Sequence, residues 1–412
     1  MNNIEVKIFG KTIGAIGTHN NTTYFEYDKD FQKTSLEISP IKLPLKTTTI
    51  YTNNDDLYFN QLAGVFSDSL PDKFGNAIIE EYYRQRGINR YQLTNIQKLA
   101  YIGANGMGAL EYIPAVQTNA IKEALEISHL VEESRLILQG DIKTTIPEIM
   151  EAGGSAGGAR AKAIIQYNHN TNHIISGRAT PKKGYEHYIV KFDGISPSGE
   201  SEDYTKIEYI YMQIASMCGL DVASVEILED RNYLHLLIKR FDRVQNHKIH
   251  MHSLCGMTHS NFNQSGAFSY EEYLKTVQIV TQKRDSVIRA YAHMVFNVIA
   301  SNQDDHTKNF SFLMDSFGQW DISPIYDLTF SHGSGYTSKH QLTINGKQTD
   351  FILDDLLKVA KTIEIDTKEA KMIIEYIQTT FYDNFEKLAY DLNVNQDRIK
   401  RILSLTRRFD IT

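Results

Sequence analysis

An unbroken polar run, Asn302-Gln303-Asp304-Asp305-His306-Thr307-Lys308-Asn309, stands between two apolar neighbours and constrains this chain more than any other feature. Before it, Val287, Tyr291, Met294, Val295 and Val298 recur at helical spacing and form one face of a long helix. After it, Phe310 to Met314 reads as an apolar strand. A capped polar turn is the simpler reading of such a run. It does not explain why two acids, a histidine, a lysine and an asparagine sit between two core elements, where buried charge needs a partner or a ligand.

The two halves flanking this run differ in periodicity. Ile4, Val6 and Ile8 alternate with polar residues and stop at Gly10-Lys11, and Thr23 to Tyr27 reads as a second strand. Phe74, Ile78, Ile79 and Tyr82 then recur at helical spacing after Leu70-Pro71-Asp72. Gly103 to Gly108 is glycine-rich and leads into the strand Leu110–Ile113. Residues 116–150 carry two helical stretches. Strands follow over Ala163–Tyr167 and Tyr185–Phe192, then a helix from about Asp203 to Cys218 with an apolar face of Ile207, Ile210, Tyr211, Ile214 and Met217. Val225–Leu228 and Tyr233–Lys239 read as a hairpin. Beyond residue 268 the pattern is mainly helical, with helices expected over Leu353–Ala360, Thr367–Asn384 and Gln396–Arg408. The expectation is an α+β, two-lobed chain: an N-terminal subdomain over 1–115, a β-rich lobe over 116–245 and a helical lobe over 246–412.

At 412 residues and 42% apolar content the chain can fill such cores. A net charge of −7 argues against a free-standing nucleic-acid binder. The cysteines Cys218 and Cys255 are too few for a disulfide framework, and no Cys/His zinc spacing occurs. Neither a leader-like N-terminus nor an eighteen-residue apolar run is present, so a cytoplasmic protein is expected.

Phosphoryl transfer gives the polar run a task. It needs a carboxylate to receive the proton of the attacking hydroxyl and oxygen ligands for magnesium beside the phosphates. Asp304 and Asn309 reproduce the aspartate-to-asparagine spacing of a protein-kinase catalytic loop, which makes Asp304 the candidate base and Asn309 a magnesium ligand. Asp305 has the wrong offset. His306 either orients a carboxylate or serves the structure, and the structural role is favoured. A turn at Ser316–Gly318 and a strand Trp320–Ile322 would fold the chain back so that Asp327 supplies a second metal ligand beside Asn309. Lys191, on a strand between Val190 and Phe192, is the candidate phosphate-binding lysine, with Glu208 on the following helix as its partner. Gly153 to Gly158, with Ser155 inside, suits either a phosphate-cradling loop or a flexible linker. Leu237 to Arg243 would connect the lobes, with backbone groups meeting adenine and Phe241 packing near the ring or, equally, as a strand end with salt-bridging charges.

These motifs together resemble the HipA family of toxin kinases. They occur in the family's order: Ser155 to Lys162, Lys191, Arg240-Phe241-Asp242-Arg243, the Asp-x-His-x-Lys-Asn-Phe run from Asp304 to Phe310, and Tyr326-Asp327. Asp68-Ser69-Leu70-Pro71-Asp72 and Gly106-x-Gly108-Ala109-Leu110 are similar to its first subdomain. The resemblance covers essentially the whole chain. It implies a kinase-like fold and transfer of the ATP γ-phosphate, with Mg2+, to a protein serine or threonine. It assigns Asp304 as base, Asn309 and Asp327 as metal ligands, and Lys191 as a phosphate ligand. Ser155, Ala156, Gly157, Gly158, Arg240, Phe241, His306 and Lys308 fall in its nucleotide site, with Ser155 as an inhibitory autophosphorylation site. It further implies a small HipB-like antitoxin that binds operator DNA, no membrane, and a protein substrate such as an aminoacyl-tRNA synthetase. Two positions depart from some members: Lys239 replaces an acidic residue, and Asp305 replaces a glycine. A catalytically silent scaffold for a DNA-binding antitoxin is the non-enzymatic alternative. A small-molecule kinase is a third reading.

Overall fold

The computed structural model describes residues 3–20, 22–46, 50–53, 57–71, 73–116, 125–139, 161–195, 201–245 and 247–411. The chain divides into two compact units. The first comprises Met1–Glu202, Glu226–His252 and Leu313–Gly318. The second comprises Asp203–Val225, Ser253–Phe312 and Gln319–Thr412.

The first unit is built on two five-stranded sheets. One is antiparallel, in the order Tyr51–Thr52, Thr22–Tyr27, Lys11–His19, Asn3–Ile8, Leu110–Ile113. Ile4, Val6 and Ile8 are all buried, as their alternation requires. The strand Lys11–His19 was not foreseen, because Gly14, Gly17 and Thr18 break its apolar pattern. The helix Lys73–Arg84 buries Phe74, Ile78, Ile79 and Tyr82. A capping box between Thr94 and Gln97 starts the helix Asn95–Ile102. Of the two helical stretches expected over 116–150, one is described, Ile127–Gln139.

The second sheet has the order His173–Ser176, Lys162–Asn168, Glu186–Lys191, Tyr233–Lys239, Val225–Asp230. Glu186–Lys191 is its central strand, flanked antiparallel on both sides. Lys191 lies directly opposite Lys162 on one neighbour and Leu236 on the other.

The second unit is mainly helical. Tyr204–Met217, Arg284–Ile299 and Thr367–Asp391 meet in an aromatic core of Tyr211, Phe296, Phe381 and Phe385, with ring centroids 5.4–6.3 Å apart. The Tyr211 hydroxyl donates to the carbonyl of Ala300 at 2.8 Å, so the end of the helix Arg284–Ile299 is fixed where the polar run begins. Met217 departs from the expected apolar face: it is 43% exposed, and Cys218, one residue on, is buried instead. The helix simply ends there, so the last turn of the pattern is carried by the capping residue.

Candidate active site

The polar run is anchored at both ends. Ser301 Oγ donates to the carbonyl of Leu405 at 2.6 Å, and the Gln303 N–H donates to the carbonyl of Ser331 at 3.0 Å. Asn309 closes the 3-10 turn Thr307–Asn309, its N–H donating to the carbonyl of His306 at 2.9 Å. Its side-chain Nδ2 donates to the backbone carbonyl of Asp304, also at 2.9 Å. The fivefold spacing of Asp304 and Asn309 is therefore a physical contact, and the Asn309 amide oxygen is turned away from Asp304.

The Asp304 side chain is 40% exposed, and Oδ1 lies 3.7 Å from His306 Nε2. His306 is packed against Phe262 and Tyr336. Burial lowers its pKa to about 4, with the negative charge of Asp327 the largest opposing influence. His306 is thus neutral at physiological pH. The Lys308 ammonium rests on the Phe262 ring, 4.7 Å from its centroid.

Asp327 reaches this region through its neighbour. The Tyr326 hydroxyl donates to the carbonyl of Lys308 at 2.8 Å and, its proton used there, accepts from Ser311 Oγ at 2.6 Å. Ser311 and Trp320–Ile322 belong to the foreseen hairpin, and the Ser323 N–H donates to the carbonyl of Ser311 at 2.8 Å. Asp327 follows in a left-handed conformation, φ 53°, a strained backbone that asparagine and aspartate tolerate better than most residues. Asp304, His306, Lys308, Asn309 and Asp327 therefore belong to one region of the helical unit. Glu208 is in the same unit and is buried within the helix Tyr204–Met217.

The remaining candidates lie in the other unit or outside the described residues. Ser155, Ala156, Gly157 and Gly158 are among the latter. Lys191 is buried on the central strand, and so is Lys162, its cross-strand neighbour. The two lysines are directly opposed on one face of the sheet. In the sequence Lys162 stood only as the last residue of the motif that begins at Ser155.

The Arg240 side chain is almost wholly buried and bonded within the fold. Nε and Nη2 donate to the two carboxylate oxygens of Asp242 at 2.9 and 2.7 Å, and Nη2 also donates to the carbonyl of Gly106 at 3.0 Å. Arg243 Nη1 donates to Asp242 Oδ2 and to the carbonyl of Gly108, and the Gly108 N–H donates to Asp242 at 2.7 Å. Gly108 has φ +77°, and an added Cβ would stand 2.8 Å from the Met251 nitrogen, so glycine is required. Only backbone atoms at 240–241, and Phe241, remain for any adenine contact. Lys239 pairs with Glu186.

Asp68 has a related structural role. It accepts from His252 Nδ1 at 2.7 Å, and His252 Nε2 meets Ser39 Oγ at 3.0 Å. Ser39 and His252 are both sealed from solvent, so this serine–histidine–aspartate chain fastens the fold and offers no nucleophile to a substrate.

Comparison with known proteins accords with this geometry. Residues 4–113 match the model of the HipA N-terminal domain, and residues 154–385, over half the chain, match that of the HipA-like C-terminal domain. The chain is 25% identical over 341 residues to the serine/threonine-protein kinase toxin HipA of Shewanella oneidensis, covering 75% of this chain and 70% of that protein. It is 25% identical over 279 residues to Y4mE of Sinorhizobium fredii, a protein with a kinase name, covering 62% of this chain and 63% of that one. Its fold matches a chain of the Shewanella oneidensis complex of HipA, HipB and operator DNA with a TM-score of 0.71 at 17% identity, over 97% of this chain and 94% of the other. Both domain models match and the α+β kinase-like fold agrees with them: this chain belongs to the HipA family of kinases.

Proposed function

We propose that the chain is an ATP- and magnesium-dependent Ser/Thr protein kinase acting as the toxin of a toxin–antitoxin pair. The observation that carries this reading is the Asn309–Asp304 contact, with Asp327 brought to the same turn by the Tyr326 bond to the carbonyl of Lys308. The donor set suits magnesium. Among the described residues no cluster of three or more His, Cys, Asp or Glu side chains is arranged to hold a metal alone. Magnesium does not require one, because it takes one or two protein oxygens and completes its shell with water and substrate phosphates. Asn309 and Asp327 would supply those oxygens, and the ion would neutralise charge on the phosphates. Asp304, half-exposed, accepts the proton of the attacking hydroxyl. Lys191 and Lys162 balance phosphate charge, and Lys308 adds a cation beside the base. His306, neutral and packed, holds the turn rather than moving a proton.

Ser155 is the proposed inhibitory phosphosite, since a phosphate adds up to two negative charges to a loop that would otherwise bind nucleotide. The proposed partner is a HipB-like antitoxin, through which operator DNA would be reached, as the composition of the Shewanella oneidensis complex suggests. The proposed substrate is a protein hydroxyl, with aminoacyl-tRNA synthetases the first to try, and the proposed compartment is the cytoplasm. No described helix is long and apolar enough to cross a membrane. The test is incubation with Mg·ATP followed by intact-mass measurement of wild type and Asp304→Ala. One phosphate on Ser155 in the wild type alone is expected. Equal incorporation in both removes Asp304 from the base role, and binding of HipB-like protein without nucleotide binding favours the scaffold.

A further inference from the structure

Asp304 and Asp305 are adjacent in sequence and opposite in environment. The Asp305 side chain is wholly buried, whereas that of Asp304 is 40% exposed. Asp305 Oδ2 accepts from the Tyr270 hydroxyl and from His340 Nδ1, each at 2.7 Å, and Oδ1 accepts from the Gln341 backbone N–H at 2.6 Å. The donors come from separate elements: Tyr270 opens the helix Tyr270–Thr281, and Gln341 immediately precedes the strand Leu342–Thr343. The Tyr270 hydroxyl in turn accepts from Asn297 Nδ2 at 3.1 Å, and Asn302 Nδ2 donates to Asn297 Oδ1 at 2.9 Å. A buried ladder of polar groups thus joins the start of the run to Asp305. A carboxylate placed so deep is stable only with donors of this kind, so its position is strongly determined.

We propose that Asp305 is a positioning residue: its three-point anchorage holds the turn so that Asp304 faces outward and its carbonyl meets Asn309. The inference rests on the kinase reading above and adds a residue that the catalytic spacing passes over. Asp305 touches no reacting atom. Its effect is on the geometry of the turn, where errors of an ångström are costly to rate.

The test compares wild type, Asp305→Asn and Tyr270→Phe, reading the phosphate-transfer rate at saturating Mg·ATP, the affinity for a fluorescent ATP analogue without magnesium, and the melting temperature. Rates are normalised to nucleotide-binding sites, which removes unfolded protein from the comparison. Asp305→Asn is expected to slow transfer about 10–100-fold while nucleotide affinity stays within about twofold. Tyr270→Phe, which deletes one donor and keeps the ring, is expected to slow it about 3–10-fold, and the double variant to be no slower than Asp305→Asn alone. A folded Asp305→Asn protein with wild-type transfer overturns the proposal, as does an equal loss of rate and nucleotide affinity. Should Asp305→Asn fail to fold, Tyr270→Phe decides, and an unchanged rate is fatal. A wild type that binds nucleotide and transfers nothing defeats the kinase reading and this proposal together, a pattern distinct from any failure of a variant.

Discussion

Asp242→Asn is the substitution with the most calculable outcome. The carboxylate is fully buried, and it balances two guanidinium groups while accepting the Gly108 N–H. The neighbouring arginines hold its pKa far below the usual carboxylate range, against the opposing effect of burial, the largest single influence. Replacing the carboxylate by an amide keeps the shape and removes the charge, leaving Arg240 and Arg243 uncompensated in the interior. Breaking a buried ion pair from one side costs about 3–5 kcal/mol. The retained amide oxygen still accepts one hydrogen bond, which places this variant near the lower end, and about 3 kcal/mol corresponds to roughly a hundredfold change in an opening equilibrium. Gly108 is its own reporter, since its N–H is bonded to the altered group. Hydrogen exchange of a peptide spanning 103–109 should therefore accelerate about a hundredfold in Asp242→Asn at neutral pH, under conditions where exchange follows the opening equilibrium. The pH dependence has a definite sign. A carboxyl whose folded pKa is depressed binds fewer protons folded than unfolded, so its contribution is complete above about pH 4 and lost as pH falls below that. The wild-type segment should loosen as the pH falls below about 4, and the variant should show little of that acid dependence. Exchange in the variant within threefold of wild type would refute the assignment of Asp242 as the keystone of this latch.

Other consequences are as direct. Burial lowers the pKa of His235 and His250 to about 4 and that of His293 to about 3. The unfolded chain takes up these protons near pH 6.5 and the folded chain does not, so stability should fall steadily from pH 6.5 toward 4; a urea midpoint that is flat over that interval would contradict it. Lys162→Met removes one of the two cations proposed to balance phosphate charge, so ATP affinity should drop about tenfold; a binding titration that shows no change would contradict that role.

The fold was readable wherever one period governed a whole element. The face Val287–Val298 and the apolar residues of Lys73–Arg84 are buried as their spacing requires. The Asp304–Asn309 spacing was likewise legible, because both residues belong to one short turn. What escaped depends on partners remote in the chain. Ser39 meets His252 across 213 positions, and Asp242 meets Gly108 across 134. No local pattern distinguishes such a contact from a solvent-facing charge, and the 237–243 segment allowed two readings for that reason. Asp305 was set aside on offset alone, since its donors at 270 and 340 lie some thirty-five residues away on either side.

The two compact units are not successive stretches of chain. Residues 226–252 and 313–318 return to the first unit after the second has begun. During synthesis, the first unit must therefore wait for the ribosome to release Gly318 before its last piece is available, by which time the turn bearing Asp304 and Asn309 has already emerged. Neither unit can be obtained by a single cut. A nascent chain stalled anywhere before that point carries unfinished surfaces in both, so neither unit is complete until late in translation.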